Sequence, residues 1–362
     1  MPNNKEQTKT KRLSTKQKVL IGLLASITGI GATNVTAALI AHESVFSRYN
    51  RPDYSVTPGI CCYERISDKL ERETLQVKSE GNQLQAYFFP NEKNKGLILL
   101  VHGKHGSADD LLPLIEGLHA GGYNVFAYDG TGTFESDGDS LVGACQPLID
   151  VNNVLSFIQS EERFSGMPLF LCGYSMGGYA VTSVLELKQN VKACAAIAPV
   201  MNAPNLMVDS IDKYAGKVSY VPKPLFDAHN KMLFKDFVKY NGVRGINSTN
   251  IPILIAQGMC DSVVSHDKIS VYAHKDKITN PNVSYYETYG LQGEHVSILY
   301  SIPAIAYQNE IKNKLNLLKT QKGKDLTNDD LVEFNNSVNH ALYSEINPEL
   351  VAKILALFNS SL

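Results

Sequence analysis

A glycine-rich motif, Gly-Tyr-Ser-Met-Gly-Gly at residues 173–178, places Ser175 between small residues. An apolar run ends just before the motif, and a helical pattern begins just after the serine. A serine on such a strand-to-helix turn stands clear of the backbone, provided that Gly173 and Gly177 leave room for strand and helix to pack closely. The motif therefore predicts a nucleophile at Ser175, beside the unpaired N–H groups of a helix N-terminus.

A serine nucleophile needs a base, and the base needs a carboxylate to orient it. His295 lies in a Gly-Glu-His motif after the last predicted strand, and Asp261 closely follows the strand before that. The chain order Ser175, Asp261, His295 is one of the known orders for a catalytic triad. Asp129 also follows a strand and is an alternative acid, although its Asp-Gly-Thr-Gly loop has the composition of a structural turn.

Acyl transfer also requires N–H donors for the oxyanion that forms on the substrate. The motif His-Gly-Lys-His-Gly at residues 102–106 follows an apolar strand, and Gly103 allows the backbone to turn the Lys104 N–H towards the site faced by the Met176 N–H. His102 is expected to brace this loop rather than to act as a base. This chemistry needs no metal and no cofactor, and we expect neither, since the sequence has no zinc-protease, phosphate-loop or EF-hand motif.

The elements that must position these residues are short apolar strands that alternate with helices. This alternation predicts an α/β fold, in which a mostly parallel twisted sheet is covered by helices on both faces. An antiparallel pair at 74–77 and 84–89 is expected to form one edge of the sheet. The other predicted strands are 97–101, 123–128, 169–172, 193–200, 251–257 and 283–289, and the predicted helices between them are 108–120, 146–160 and 176–188.

Two segments interrupt the alternation within a predicted catalytic domain at residues 72–362. Residues 201–249 lie between two core strands and are interpreted as a helical cap, whereas residues 301–346 form a second helical insertion. Thr327 and Asp330 have the spacing of a capping box, and Asn347-Pro348 is typical of the start of a final helix.

The N-terminus predicts a membrane anchor. Residues 1–18 hold six basic side chains against one acidic side chain, and residues 19–41 carry no charge. A helix over 19–41 would be about 35 Å long, which is enough to span a membrane. Residues 1–18 are then a cytoplasmic tail, 42–71 a tether, and the body lies outside the cytoplasm as a single-pass protein of the cell membrane. A cleaved signal peptide and secretion, or a buried helix, are the alternatives.

Composition limits the classes of partner. With 44% hydrophobic residues the chain has enough apolar material for a large core, which excludes a wholly disordered protein. The net charge is −2, and the basic tail leaves an acidic body, so nucleic acid is not expected as a partner. A small acyl or ester substrate and the membrane are the expected partners, and the oligomeric state is left open.

These motifs resemble those of the α/β-hydrolase superfamily, and the body is similar to its monoacylglycerol-lipase-like and serine-aminopeptidase-like (S33) group. The resemblance covers about residues 72–300 and the final helix, through the HG, GxSxGG, GxxD and GxH motifs. It implies a serine esterase or lipase-like hydrolase with the triad Ser175, Asp261 and His295. Two alternatives are a serine aminopeptidase-like peptidase and a non-catalytic binding protein that retains the fold.

Overall fold

The computed structural model describes residues 42–59, 61–187, 190–203, 223–323 and 325–362. Within these residues the centre of the protein is an eight-stranded sheet with the strand order β1-β2-β4-β3-β5-β6-β7-β8. Strands β1 and β2 pair antiparallel with each other, β2 pairs antiparallel with β4, and every other pair is parallel. The strands are β1 (Glu73–Ser79), β2 (Asn82–Phe89), β3 (Leu97–Val101), β4 (Asn124–Tyr128), β5 (Leu169–Tyr174), β6 (Ala193–Ile197), β7 (Ile253–Gly258) and β8 (Val283–Thr288).

The central strands are apolar throughout because both faces of the sheet are covered. In β3, Leu97, Leu99 and Val101 face one apolar layer, whereas Ile98 and Leu100 face the other. Helices α2 and α3 pack into the first layer, and α1 and α9 pack into the second. The predicted α/β sheet with helices on both faces is confirmed. The α-helices are α1 (Leu112–Ala120), α2 (Gln146–Ser160), α3 (Met176–Ser183), α4 (Lys223–Phe234), α5 (Gly242–Asn247), α6 (Ile302–Lys322), α7 (Asn328–Asn336), α8 (His340–Tyr343) and α9 (Pro348–Asn359).

Two of the predicted strands have a boundary beside a proline in the structure. Strand β6 ends at Ile197 rather than at residue 200, since Ala198 takes a φ of +46° and the next residue is Pro199. Strand β7 begins at Ile253, directly after Pro252. Proline has no N–H to donate to a neighbouring strand, so it favours the boundary of a strand over its interior.

Residues 42–71, which the sequence predicts to be a tether, pack against the domain in their described part. Phe46, Ile66 and Leu70 are each less than one-tenth exposed. Phe46 belongs to the first apolar layer, and Ile66 and Leu70 belong to the second. No helix among the described residues is long and apolar enough to cross a membrane. The predicted span 19–41 and the basic tail 1–18 lie outside the described residues.

The insertion at 301–346 leaves and rejoins the domain at one point, where Tyr300 and Ile346 form an isolated β-bridge. Its helix α7 has the predicted capping box between Thr327 and Asp330. The insertion packs on residues of the 42–71 segment, because Asn335 Nδ2 donates to the carbonyl oxygens of Tyr54 and Ser55. The described part of the predicted cap 201–249 includes α4 and α5, and residues 204–222 lie outside the description.

We expect Asn347→Ala to lower the free energy of unfolding by about 2 kcal/mol. Asn347 is 1% exposed, and its Oδ1 accepts the N–H groups of Glu349 and Leu350 at the start of α9. Its Nδ2 donates to the Ile298 carbonyl, which would lose this partner in a buried position. Urea unfolding measures the change. Thr327→Ala removes an exposed cap and should cost about 1 kcal/mol, so an equal or smaller loss for Asn347→Ala would contradict the assignment.

Candidate active site

Ser175 lies on the tight turn between β5 and α3, with φ at +57° and ψ at −115°. A Cβ on Gly173 would lie 2.4 Å from the Gly177 carbonyl oxygen, and a Cβ on Gly177 would lie 2.2 Å from the Val101 carbonyl oxygen. Both positions must therefore be glycine for reasons of space. The Ser175 N–H donates to the Ile197 carbonyl on β6 at 2.8 Å, which fixes the turn to the sheet.

The structure brings Ser175, His295 and Asp261 together at the carboxyl edge of the sheet. His295 Nε2 lies 2.9 Å from Ser175 Oγ, and His295 Nδ1 lies 2.7 Å from Asp261 Oδ2. All three residues are less than one-tenth exposed. The three side chains form one continuous line of hydrogen bonds across residues that are far apart in the sequence.

Backbone N–H groups of the same loop hold the Asp261 carboxylate in place. Its Oδ1 accepts the N–H groups of Val263 and Val264 at 2.9 and 2.7 Å, and its Oδ2 accepts from Gln257 Nε2 at 3.3 Å. With Oδ1 occupied, Oδ2 faces the imidazole of His295. This arrangement favours the tautomer with the hydrogen on Nδ1, so the Nε2 lone pair faces Ser175 Oγ.

Two further residues hold His295 in position, and neither could be assigned this role from the sequence. The ring of Tyr174 lies 5.1 Å from the imidazole between centroids, and its hydroxyl donates to the His295 carbonyl. The Glu294 carboxylate accepts from the N–H and the hydroxyl of Ser262, which connects the loop of His295 to the loop of Asp261. The only signal for these contacts in the sequence is that Tyr174 precedes Ser175, Glu294 precedes His295 and Ser262 follows Asp261.

The loop after β3 lies beside the serine. A Cβ on Gly103 would come within 3.2 Å of Ser175 Cβ, so this backbone passes directly by Ser175. Lys104 and Met176, the two predicted oxyanion donors, both line the same cavity next to this loop. Met176 is the first residue of α3, a position whose N–H has no acceptor within the helix.

His102 makes hydrogen bonds to the loops after β3 and β4. Its Nδ1 lies 2.7 Å from the Gly103 carbonyl oxygen, and its Nε2 accepts the Gly130 N–H at 2.9 Å. These partners require a neutral imidazole with the proton on Nδ1. Burial lowers the pKa of His102, in agreement with this neutral form.

Asp129, the alternative acid, has other partners. Its carboxylate accepts from the Ala108 N–H at 2.9 Å and from the Tyr87 hydroxyl at 3.1 Å. It therefore connects the loop after β4 to the loop after β3, whereas Asp261 contacts His295. Across the described ranges, no cluster of three or more His, Cys, Asp or Glu side chains has a geometry suited to a metal ion.

A mostly parallel eight-stranded sheet, with a serine on the strand-to-helix turn at its centre, defines an α/β-hydrolase fold. Residues 92–245 match the family model of the serine aminopeptidases, S33. Human monoglyceride lipase is 31% identical over 133 residues, which are 35% of this chain and 43% of the lipase, so the match spans less than half of that relative.

A longer match is with the protein YfhR of Salmonella typhi, at 24% identity over 68% of this chain and 81% of that protein. Among solved structures, the Pyrococcus furiosus esterase Pf2001 superimposes with a TM-score of 0.51 at 20% identity, over 75% of this chain and 98% of the esterase. In sequence and fold the chain is therefore similar to α/β-hydrolases, among them the S33 serine aminopeptidases and the monoglyceride lipases.

We expect Asp129→Asn to remove a pH dependence of stability. Burial raises the pKa of Asp129 from 3.8 to about 6, so the folded protein holds this proton at a pH where the unfolded chain has lost it. In the wild type this carboxyl therefore lowers the free energy of unfolding by about 2 kcal/mol as the pH rises from about 4 to 6.

Urea unfolding of the wild type and the variant at pH 4 and pH 7 measures this difference. The wild type should lose about 2 kcal/mol more than Asp129→Asn between the two pH values. Asp139→Asn, which removes an exposed carboxylate nearby, is the control. A pH dependence that is the same in wild type and Asp129→Asn would contradict the prediction.

Proposed function

We propose that the protein is a serine hydrolase that cleaves carboxylic esters through an acyl-enzyme on Ser175. The observation that carries this proposal is the continuous hydrogen-bonded line from Asp261 Oδ2 through His295 to Ser175 Oγ. A serine hydroxyl paired with a neutral imidazole, which is itself oriented by a carboxylate, is the arrangement that activates serine for attack on a carbonyl carbon.

In the first half of the reaction, Ser175 Oγ attacks the ester carbonyl carbon while its proton passes to His295 Nε2. The carbonyl electrons move to the oxygen, which accepts hydrogen bonds from the N–H groups of Lys104 and Met176. The Asp261 carboxylate stabilises the resulting imidazolium. When the tetrahedral intermediate collapses, the bond to the alcohol breaks, and the alcohol leaves with the proton from His295.

In the second half, water takes the place of the alcohol. His295 accepts a proton from the water as its oxygen attacks the acyl carbon, and the oxyanion forms again at the same donors. Collapse breaks the bond to Ser175 Oγ, which recovers its proton from His295, and the carboxylic acid is released. One ester and one water thus give one acid and one alcohol.

Ester hydrolysis is preferred to peptide hydrolysis on one specific observation. An aminopeptidase needs a carboxylate that is available to the substrate amine, and Glu294 is the acidic residue next to His295. Its carboxylate already accepts two hydrogen bonds from Ser262, which hold it against the acid loop. The similarity to a monoglyceride lipase supports the same choice.

We expect Ser175→Ala in the full chain to lose labelling by a fluorophosphonate and to lower kcat by roughly a thousandfold or more. The measurements are probe labelling and hydrolysis of p-nitrophenyl esters and aminoacyl amides. Ser183→Ala is the matched control, since Ser183 lies on the same helix and its buried hydroxyl has no hydrogen-bond partner among the described residues.

Each outcome decides between the candidate functions. Equal labelling of the wild type and Ser175→Ala would refute the assignment of the nucleophile. Faster cleavage of aminoacyl amides than of esters would select the peptidase. A folded wild type that is neither labelled nor active would favour the non-catalytic binding protein.

We also propose that residues 19–41 hold the chain in the cell membrane with its domain outside the cytoplasm. We expect the full chain to stay in the membrane pellet after alkaline carbonate extraction, and external protease to digest the domain on intact cells. Ile30→Lys places a charge near the centre of the span, which costs about 3 kcal/mol of insertion, and should release part of the protein. A domain that resists external protease while other surface proteins are digested would contradict the orientation, and a mature chain beginning near residue 42 would indicate cleavage instead.

A further inference from the structure

The segment 42–49, which precedes the first strand, packs against the loop that carries the predicted oxyanion donor Lys104. The Lys104 ammonium lies 5.3 Å from the centre of the Phe46 ring, and both residues line the cavity next to this loop. The ring of Tyr49 lies 5.7 Å from the His105 imidazole between centroids, with 35° between the ring planes. The segment therefore contacts the predicted donor and the residue that follows it.

His105 adopts a backbone conformation that residues other than glycine rarely take. Its φ is +51°, in the left-handed region, whereas the two glycines of the same loop, Gly103 and Gly106, have φ outside that region. Histidine tolerates the left-handed region better than most residues, but such a conformation persists only where the surrounding structure holds it. The contacts of His105 therefore fix the course of the backbone that follows Lys104.

The contacts that hold the His105 imidazole come from the segment 42–49. Burial lowers the pKa of His105, and the neighbouring Lys104 ammonium lowers it too, so the imidazole is neutral and has one N–H. The Val45 carbonyl accepts a hydrogen bond from this imidazole. Its Nε2 is buried and has no hydrogen-bond partner among the described residues, so the ring of Tyr49 is the main packing partner that the structure gives it.

Tyr49 is itself fixed to the loop after β4. Its N–H donates to the Gly132 carbonyl at 3.0 Å, and its carbonyl accepts the Phe134 N–H at 2.8 Å. The ring of Tyr49 also packs on the ring of Phe134, at 5.5 Å between centroids. The preceding residue, Arg48, donates from its guanidinium to three carbonyl oxygens in the loop 134–138. The Tyr49 ring is thus a fixed surface for His105.

The proposed reaction depends on the direction of the Lys104 N–H, because an oxyanion donor acts best when it is in place before the oxyanion forms. His102 holds the start of this loop through the Gly130 N–H. We propose, resting on the function above, that Tyr49 is a positioning residue that holds the far side of the loop. It acts through His105, and it keeps the Lys104 N–H directed at the oxyanion.

The first test measures kcat and KM for p-nitrophenyl butyrate with the full chain. Tyr49→Leu keeps an apolar side chain but removes the ring from His105, so we expect kcat to fall about tenfold or more while KM stays near its wild-type value. Tyr49→Phe keeps the ring and should keep the wild-type kcat. Tyr54→Leu is the matched control, since Tyr54 is also partly buried but its ring faces the Arg51 guanidinium.

A second measurement separates positioning from a general loss of stability. A trifluoromethyl ketone adds to Ser175 Oγ as the serine proton passes to His295, and the ketone oxygen becomes an oxyanion that needs the same donors. We expect the inhibition constant of this ketone to rise in Tyr49→Leu by the same factor by which kcat/KM falls. The concentration of active enzyme is counted by fluorophosphonate labelling, so unfolded protein does not contribute. A lower kcat with an unchanged inhibition constant would contradict the proposal.

His105→Asn tests whether Tyr49 acts through His105. Asparagine tolerates a positive φ but lacks the imidazole, so we expect this variant to lower kcat as Tyr49→Leu does. The double variant should then be no slower than the slower single variant. Losses that multiply in the double variant would overturn the proposed route. If Tyr49→Leu does not fold, His105→Asn alone gives the kcat and the inhibition constant, and wild-type values for both would overturn the proposal.

The two proposals fail in different ways. A Tyr49→Leu variant that is labelled and keeps the wild-type kcat and inhibition constant would overturn the positioning role and leave the esterase intact. A folded wild type with no labelling and no esterase activity would instead overturn the proposed function, and the positioning role with it.

Discussion

The close approach of helix α3 to strands β3 and β5 is the constraint on which the site depends. At Gly177 the helix comes so near to the Val101 carbonyl that a single added carbon would overlap it. This contact forces the chain to turn sharply at Ser175 and to adopt a positive φ there. The strain at this residue is offset by the packing of the helix and by the hydrogen bond to Ile197.

Because the strands around β5 are parallel, the loops that follow them lie at the same edge of the sheet, on both sides of Ser175. Ser175 follows the central strand β5, Asp261 and His295 follow strands on one side, and the loop of Lys104 follows a strand on the other. A carbonyl placed at Ser175 would thus have His295 on one side and the loop of Lys104 on the other.

Many polar groups of the site are hydrogen-bonded within the protein. Tyr174 and Glu294 hold the loop of His295, the loop N–H groups of Val263 and Val264 hold Asp261, and His102 holds the turn after β3. Buried hydrogen bonds of this kind keep donors in place before a substrate arrives, so little reorganisation is needed during the reaction. The segment 42–49 extends this framework, since it adds Phe46 to the cavity and is itself fixed by Arg48.

The sequence alone determined which segments form the core strands, the turn at Ser175, the edge hairpin and the caps at Thr327 and Asn347. These features are local, because they depend on apolar periodicity, glycine and capping residues that lie within a few positions of one another. The sequence also favoured Asp261 over Asp129 as the carboxylate, because the Asp-Gly-Thr-Gly loop of Asp129 has the composition of a structural turn. Only the tertiary structure decided that Glu294 pairs with Ser262, that Asp129 pairs with Tyr87 and Ala108, and that Phe46 reaches the cavity. Each of these contacts joins residues far apart in the chain, and such contacts are set by the strand order and by side-chain packing, which leave no local pattern in the sequence.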